Sequence, residues 1–283
     1  MGNGIQLLGT QSSPNRSGSV VVITGASSGI GAALSYRYAK RKSKLILAAR
    51  SRPQLEIVAA KCRDLGAKNV YCLPTDVTDE NACHVLIDFT IRMFTRIDLL
   101  VLNAGVSSHF PFDNKVDVQV YRQIMDTNFF GYLHCTKHAW QHLVSSGGQI
   151  LVVSSMSGEI GLPERSAYCA AKFAVNGFFD SLVMEQQARK EQNPVTITVV
   201  CPPSVNTDMR NHAIKTQNQT CIGDPLNPRH TGMDLDDCVT AIIRACDERA
   251  TKVHFPTKSA LAVLARPFLP SIIDPLIQKA SKL

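Results

Sequence analysis

Short apolar runs separated by stretches of helical periodicity mark most of the chain. Val20-Val21-Val22-Ile23 is the first, a β-branched run; Lys44 to Ala49, Asn69 to Leu73, Ile97 to Leu102, Gly148 to Ser154, Val195 to Cys201 and Val253 to Phe255 follow it. Their apolar positions are near-continuous instead of alternating, the pattern of strands covered on both faces. Between them helices are expected over 32–42, 53–65, from Asp79 as N-cap to about Phe94, 117–127, 129–143, Ser166 to Lys190 and Asp234 to Arg249. In the helix from Ser166, the residues Ala171, Val175, Phe178 and Leu182 form one apolar stripe. Strands and helices that alternate throughout predict one α/β domain, a single doubly wound parallel sheet of about seven strands with helices on both faces.

The ends and one interior stretch break the pattern. Residues 1–18 are rich in Gly, Ser, Asn and Gln, and they are expected to form a flexible tail, neither a signal peptide nor a helix. Gln6 stands where a myristoylation signal needs Ser or Thr. The folded domain is then 19–257, and within it 203–231, polar from Asp208 onward and holding Pro225 and Pro228, is expected to be a lid. From 258 to 283 runs an apolar tail broken by Pro267, Pro270 and Pro275. No run of 18 uninterrupted apolar residues occurs, so no membrane-spanning helix is expected.

Composition changes this picture little. A chain of 283 residues can bury one large core. The formal net charge of +7 is spread along it without interleaved aromatic residues, which argues against a nucleic-acid partner. One local cluster, Arg37, Lys40, Arg41, Lys42, Lys44, Arg50 and Arg52, is suited to face a phosphate. The nine cysteines form no Cys-x-x-Cys and have no histidine at metal spacing. They are expected to be buried free thiols in a reducing compartment, with no metal site.

Chemistry enters after the first strand, at Thr24-Gly25-Ala26-Ser27-Ser28-Gly29-Ile30-Gly31. Glycines there let the backbone approach a pyrophosphate, and the amides and dipole of the following helix favour the anion, so the stretch reads as a Rossmann-type dinucleotide site. An NAD site expects an acid about twenty residues past the glycines. Here the second strand ends at Arg50-Ser51-Arg52, and Arg50 stands where a 2′-phosphate would sit, which points to NADP(H) in preference to NAD(H). Farther on, Tyr168 and Lys172 share a helix face, so the Lys172 ammonium would favour the phenolate and lower the Tyr168 pKa. Ser155, at a strand end, could polarise a carbonyl with its hydroxyl. By the residues alone, these are equally an exposed helical pair and a polar strand terminus. Asn128, between two helical patterns, reads either as a bend that holds a water or as a surface side chain.

In order and spacing, Thr24-Gly25 through Gly31, Asp76, Asn103-Ala104-Gly105, Asn128, Ser155 and Tyr168-x-x-x-Lys172 resemble the short-chain dehydrogenase/reductase family, over residues 19 to 256. The resemblance implies that Tyr168 gives or takes the proton, Ser155 orients the substrate oxygen, Lys172 holds the nicotinamide ribose and depresses the Tyr168 pKa, and Asn128 holds a water of the proton relay. It also implies cofactor-binding positions at Gly25, Ser27, Ser28, Gly29, Ile30, Gly31, Arg50 and Ser51, at Asp76 and Val77 by the adenine, and at Asn103, Ala104 and Gly105. Val205 and Thr207 would meet the carboxamide. The family usually has Pro-Gly where this chain has Pro202-Pro203, and a second proline removes an amide and fixes φ there.

Within the family the chain is most similar to the group of 11-beta-type hydroxysteroid dehydrogenases and member-7B dehydrogenase/reductases, through Ser166-Ala167-Tyr168, Phe178-Phe179-Asp180, Thr207-Asp208-Met209 and the tail from Leu261 to Leu276. That resemblance implies NADPH-dependent reduction of a lipophilic carbonyl to an alcohol, by a homodimer or homotetramer paired through helices such as 117–145 and 166–190. Ser281-Lys282-Leu283 matches the peroxisomal import address, so a peroxisomal location with the import receptor as partner is expected, and a cytoplasmic one is the alternative. An acyl- or alkyl-dihydroxyacetone phosphate is then the leading substrate, with Arg210, Lys215 and Arg229 as candidates for its phosphate. A steroid, retinoid or xenobiotic carbonyl is the alternative, and a nucleotide-sensing protein without turnover is the alternative of another class. The tail around Ala260 to Ile277 is expected to lie on a membrane surface, close the pocket, or pack on the core or a partner.

Overall fold

Val20–Thr24 (β1) is buried along its whole length, as a β-branched run between two helix layers should be. The computed structural model describes residues 17–113, 115–190, 192–209, 213–214 and 232–281. After β1 come α1 (Gly29–Lys40), β2 (Lys44–Ala49), α2 (Arg52–Asp64), β3 (Val70–Pro74), α3 (Glu80–Phe94) and β4 (Leu99–Leu102). The second half adds α4 (Val118–Met125), α5 (Gly131–Ser146), β5 (Gln149–Val153), α6 (Ser166–Arg189), β6 (Thr196–Cys201), α7 (Leu235–Asp247) and β7 (Lys252–His254). All seven strands are parallel, in the order β3-β2-β1-β4-β5-β6-β7. The α/β fold with one doubly wound parallel sheet is therefore as expected.

Successive strand residues face opposite sides, and the core divides accordingly. Val21 and Ile23 join Leu45 and Leu47 under Leu34 and Tyr38 of α1, Val58 of α2 and Ile242 of α7. Val22 and Ile46 face the other way, with Leu100, toward Leu86 of α3, Leu143 of α5 and Phe179 of α6. A smaller cluster of Phe110, Ile124, Ala167 and Ala171 packs the loop after β4 against α4 and α6.

The strand order reverses between β1 and β4, which opens a crevice at their carboxyl ends where ligands of such sheets bind. A polar clasp knits its floor. Thr24 Oγ1 donates to the Val101 carbonyl at 3.1 Å and accepts from the amides of Asn103 at 3.0 Å and Ala104 at 3.2 Å. Asn103 Nδ2 donates to the carbonyls of Thr24 at 3.1 Å and Gly25 at 3.2 Å.

Two boundaries differ from the sequence reading in ways that bear on function. Helix α1 begins at Gly29, not Ala32, because Ala32 N already donates to Ser28 O; the low helix propensity of glycine hid the first turn. The tail is not irregular but forms two helices, α8 (Thr257–Ala265) and α9 (Pro270–Ser281). Pro267 falls between them, Pro270 opens α9 where its missing N–H costs nothing, and Pro275 lies inside α9. No residue of α8 is buried, and Leu261, Leu264 and Phe268 are exposed. Among the described residues no helix is long and apolar enough to cross a membrane. Arg210, Lys215, Arg229, most of 203–231, and Lys282-Leu283 lie outside the described residues.

Candidate active site

The crevice holds a groove of about 520 Å³, and the glycine loop forms one end of it. Gly25 adopts φ +64°, a left-handed conformation open to glycine, where a Cβ would stand 2.8 Å from Ala104 Cα. A Cβ on Gly31 would stand 2.2 Å from the Gly25 carbonyl oxygen. Both glycines therefore serve close backbone packing. The first turn of α1 carries no acid, and its N-cap, Ser28, makes no side-chain cap, which leaves the helix start free for an anion. Ser27, Ser28, Gly29 and Ile30 line the groove there, and Thr207 Cγ2 comes within 3.4 Å of a Cβ placed on Gly29.

Beyond the loop, the exposed Arg50 lines the groove with Ser51 and Gln54, and Ser51 as N-cap of α2 makes no side-chain cap hydrogen bond. Asp76 also lines the groove; its Oδ1 accepts from Thr78 N at 3.0 Å and Thr78 Oγ1 at 2.9 Å, so a local turn fixes the carboxylate. Val77, Ala104, Gly105 and Val205 complete this wall. The segment after Pro203 keeps backbone partners. Pairing with Met233 holds it, through Met233 N to Ser204 O at 2.8 Å and Asn206 N to Met233 O at 3.0 Å.

At the other end β5 delivers Ser155 and the first turns of α6 deliver Tyr168 and Lys172. All three are buried, which excludes the exposed-pair reading. Ser155 Oγ accepts from Ser157 N at 3.1 Å, and its hydroxyl lies near enough to the Tyr168 phenol to favour the ionised form. Lys172 Nζ donates to Val153 O at 3.0 Å and to the Tyr132 hydroxyl at 3.4 Å, and it stands 5.9 Å from the Tyr168 ring centroid. Asn128 lies in a π-helical turn, Asp126–Phe130, between α4 and α5. It is fully buried, and the surface reading fails. Its Oδ1 accepts from Val106 N at 2.8 Å and its Nδ2 donates to Val106 O at 2.9 Å, so the side chain fastens the loop after β4.

The electrostatics depart from the expected lysine-driven activation. Burial pushes the Tyr168 phenol above its ordinary value, and the largest effect opposing it is the nearby Arg165 guanidinium, followed by the Ser155 hydroxyl. Burial also pushes the Lys172 ammonium down to about 8. Arg165 was missed in the sequence, although it precedes Tyr168 by three residues, at the N-cap position of the same helix. Ser107, Leu162 and Met209 of the same end were missed too, because they come from loops without periodicity. No described residue of α8 or α9 lines the groove, so nothing in the groove supports a closing role for the tail.

A stability consequence follows for Lys172. An unfolded lysine titrates near 10.4, so between pH about 8 and about 10.4 the unfolded state binds more protons and stability rises with pH. At neutral pH the buried ammonium then costs about 3 kcal/mol. Lys172→Met removes that cost and leaves Val153 O its 3.0 Å bond from the Tyr132 hydroxyl. Denaturant unfolding should show the variant more stable at pH 7 by roughly 1–3 kcal/mol, with the gain shrinking toward pH 10. A less stable variant at pH 7 contradicts this account.

Behind the Ser155 loop, Glu159, Cys201 and His254 meet with their polar atoms within 4.8 Å of one another, which their sequence spacing concealed. Lys252 supplies a cation there, 3.3 Å from Glu159 and 2.5 Å from Asp180, and burial pushes the Cys201 thiol up to about 12. Asn176 links this network to the site: it donates to Glu159 at 2.9 Å and accepts from Ser154 Oγ at 2.5 Å.

Comparisons with known proteins bear on the family and the fold. The short chain dehydrogenase family matches residues 19–218. An 11-beta-hydroxysteroid dehydrogenase-like 3 of Arabidopsis thaliana is 38% identical over 257 residues, covering 90% of this chain and 79% of that protein. An 11-beta-hydroxysteroid dehydrogenase A of Sesamum indicum is 41% identical over 206 residues, 72% of this chain, and the match spans 58% of that protein. A solved structure of a short chain dehydrogenase/reductase from Burkholderia phymatum in complex with NAD has TM-score 0.79 at 22% identity, covering 91% of this chain and 96% of that one. That last likeness bears on the fold.

Proposed function

The chain belongs to the short chain dehydrogenase family, and on that footing we propose that it interconverts a bulky lipophilic carbonyl and its alcohol, with NADP(H) as cofactor. The observation that carries this reading is the convergence of Ser155, Tyr168 and Lys172 at one end of a groove whose other end is the phosphate loop. When bound, the nicotinamide supplies or takes the hydride. In reduction, the Ser155 hydroxyl and the Tyr168 phenol hydrogen-bond the carbonyl oxygen, and Tyr168 delivers its proton as the alkoxide develops. Lys172, fixed on Val153 O, is placed to hold the ribose and restore the Tyr168 proton, with Asn128 steadying the loop beside them.

The relatives' names support a hydroxysteroid-type alcohol or ketone over the acyl- or alkyl-dihydroxyacetone phosphate expected from the last three residues. Exposed Phe130 ahead of α5 and Phe173 and Met184 on α6 support pairing through these helices. Cofactor oxidation by the full chain should proceed with steroid, retinal or aromatic ketones. Dinucleotide binding without turnover of any carbonyl in either direction, neutral or anionic, identifies a nucleotide-sensing protein instead.

Arg50 and Ser51 support NADP(H), because a guanidinium and free helix-start groups suit a 2′-phosphate and no acid stands in that turn. Arg50→Asp should lower the kcat/KM ratio of NADPH to NADH by about 10- to 100-fold. An unchanged ratio places the 2′-phosphate, or its absence, elsewhere.

A further inference from the structure

Arg165 caps the start of α6, and its guanidinium carbon stands 4.8 Å from the centroid of the Tyr168 ring. Its Nη2 donates to the Ser107 hydroxyl at 2.9 Å, while its Nε is buried without a hydrogen-bond partner. A guanidinium carries five N–H donors, and among the described residues the bond to Ser107 is the one that the Arg165 side chain makes. Among the described residues no carboxylate lies within ion-pair distance of it. The adjacent carboxylate, Glu164, is almost fully buried and turned to His109 at 3.1 Å.

Arg165 and Ser107 both line the groove, together with Ser155 and Tyr168. The buried Nε of Arg165 costs free energy while it lacks an acceptor, and an anion in the groove would supply one. The described carboxylates that line the groove, Asp76 and Asp208, form no ion pair with Arg165, and on the dehydrogenase reading the phosphates of a dinucleotide belong at the start of α1 and at Arg50, the opposite end of the groove.

We propose that Arg165 and Ser107 form an anion subsite beside Tyr168 that takes a carboxylate or phosphate carried by the carbonyl substrate a few bonds from its reacting carbon. The proposal rests on the dehydrogenase reading and narrows the substrate class within it: bulky lipophilic carbonyls, those on a hydroxysteroid-type skeleton included, that also carry a carboxylate or phosphate. The planar fork of arginine suits either anion in a two-bond embrace, and the Ser107 hydroxyl, held at one side, adds an uncharged contact.

The test uses the full chain with NADPH and matched substrate pairs: a medium-chain 3-oxo acid against its ethyl ester, and dihydroxyacetone phosphate against dihydroxyacetone. The first pair reads the carboxylate and the second the phosphate. For the pair whose anion fits, Arg165→Gln should lower the ratio of kcat/KM for the anionic member to that for the neutral member by about 10- to 100-fold, mainly through KM. Arg165→Lys should restore part of that ratio. Ratios that stay within about twofold in both pairs while all rates fall together overturn the subsite and leave Arg165 a partner of Tyr168 alone. If no carbonyl is turned over, the dehydrogenase reading has failed on its own, and equilibrium binding of decanoate and of inorganic phosphate to the NADPH complex decides the subsite. Binding weakened about 10-fold or more by Arg165→Gln supports it, and binding indifferent to Arg165 overturns it.

Discussion

Tyr168→Phe lowers the rate of carbonyl reduction by about 10²- to 10⁴-fold at saturating NADPH, while the affinity for the dinucleotide stays within about twofold. The substitution removes one oxygen from a ring held in place by α6 and by the Arg165 guanidinium, so the fold and the phosphate loop are untouched. What is lost is the proton that meets the developing alkoxide. Burial holds the phenol above its ordinary value, so it is protonated at neutral pH, the form needed to reduce a carbonyl. Reduction is therefore expected to be sustained at neutral pH and to fade only as the pH climbs through the phenol's pKa. Alcohol oxidation, which needs the phenolate, should gain over that same interval. Stopped-flow rates across the pH range for both directions test the sign, and equal rates for the wild type and Tyr168→Phe exclude the phenol as the acid.

Gly31→Ala is expected to weaken NADPH binding by about 100-fold or more and to lower the unfolding temperature as well. A Cβ at this position would lie 2.2 Å from the Gly25 carbonyl oxygen and 2.6 Å from Asn103 Nδ2. Neither neighbour can yield cheaply. Gly25 is held in a left-handed turn against Ala104, and Asn103 Nδ2 bonds to the carbonyls of Thr24 and Gly25. Relief has to come from the helix start sliding away from the loop, which spoils the amide cradle for the pyrophosphate. Gly177→Ala on α6, where an added Cβ meets nothing within 4 Å, is the control and should bind NADPH as the wild type does. Fluorescence titration of both variants reads the result; an alanine at 31 that binds within about threefold of the wild type contradicts the close-packing account.

How far the site was legible depended on the range of the interactions that build it. The strands announced themselves because burial on both faces demands unbroken apolar runs such as Val20 to Ile23 and Leu99 to Leu102. The phosphate loop was readable for a similar local reason: strand, glycines and helix are contiguous. Asn128 was visible as an oddity in a helical stretch, but its partner Val106 is 22 residues away on another loop, and periodicity carries no trace of that bond. Tyr168 and Lys172 were paired correctly by helix geometry, yet the effect of the pairing was misjudged, because burial is set by the whole domain and here outweighs the nearby ammonium. Arg165 had a local signal, its place one turn before Tyr168, which went unread because its value depends on Ser107 across the groove. The tail helices were obscured by prolines at 267, 270 and 275 that the structure accommodates at and between helix ends and, once, inside α9.

The Thr24 hydroxyl at the floor of the crevice has its hydrogen-bonding capacity filled, one bond given and two received. β1 and β4 are thus tied together by a side chain where the strand order reverses, in addition to their ladder. A visiting nucleotide meets a shelf already set, so little ordering is required along its phosphates. Substrate-side groups such as Ser107 and Arg165 lie at the other end of the groove, so a change there need not disturb this floor.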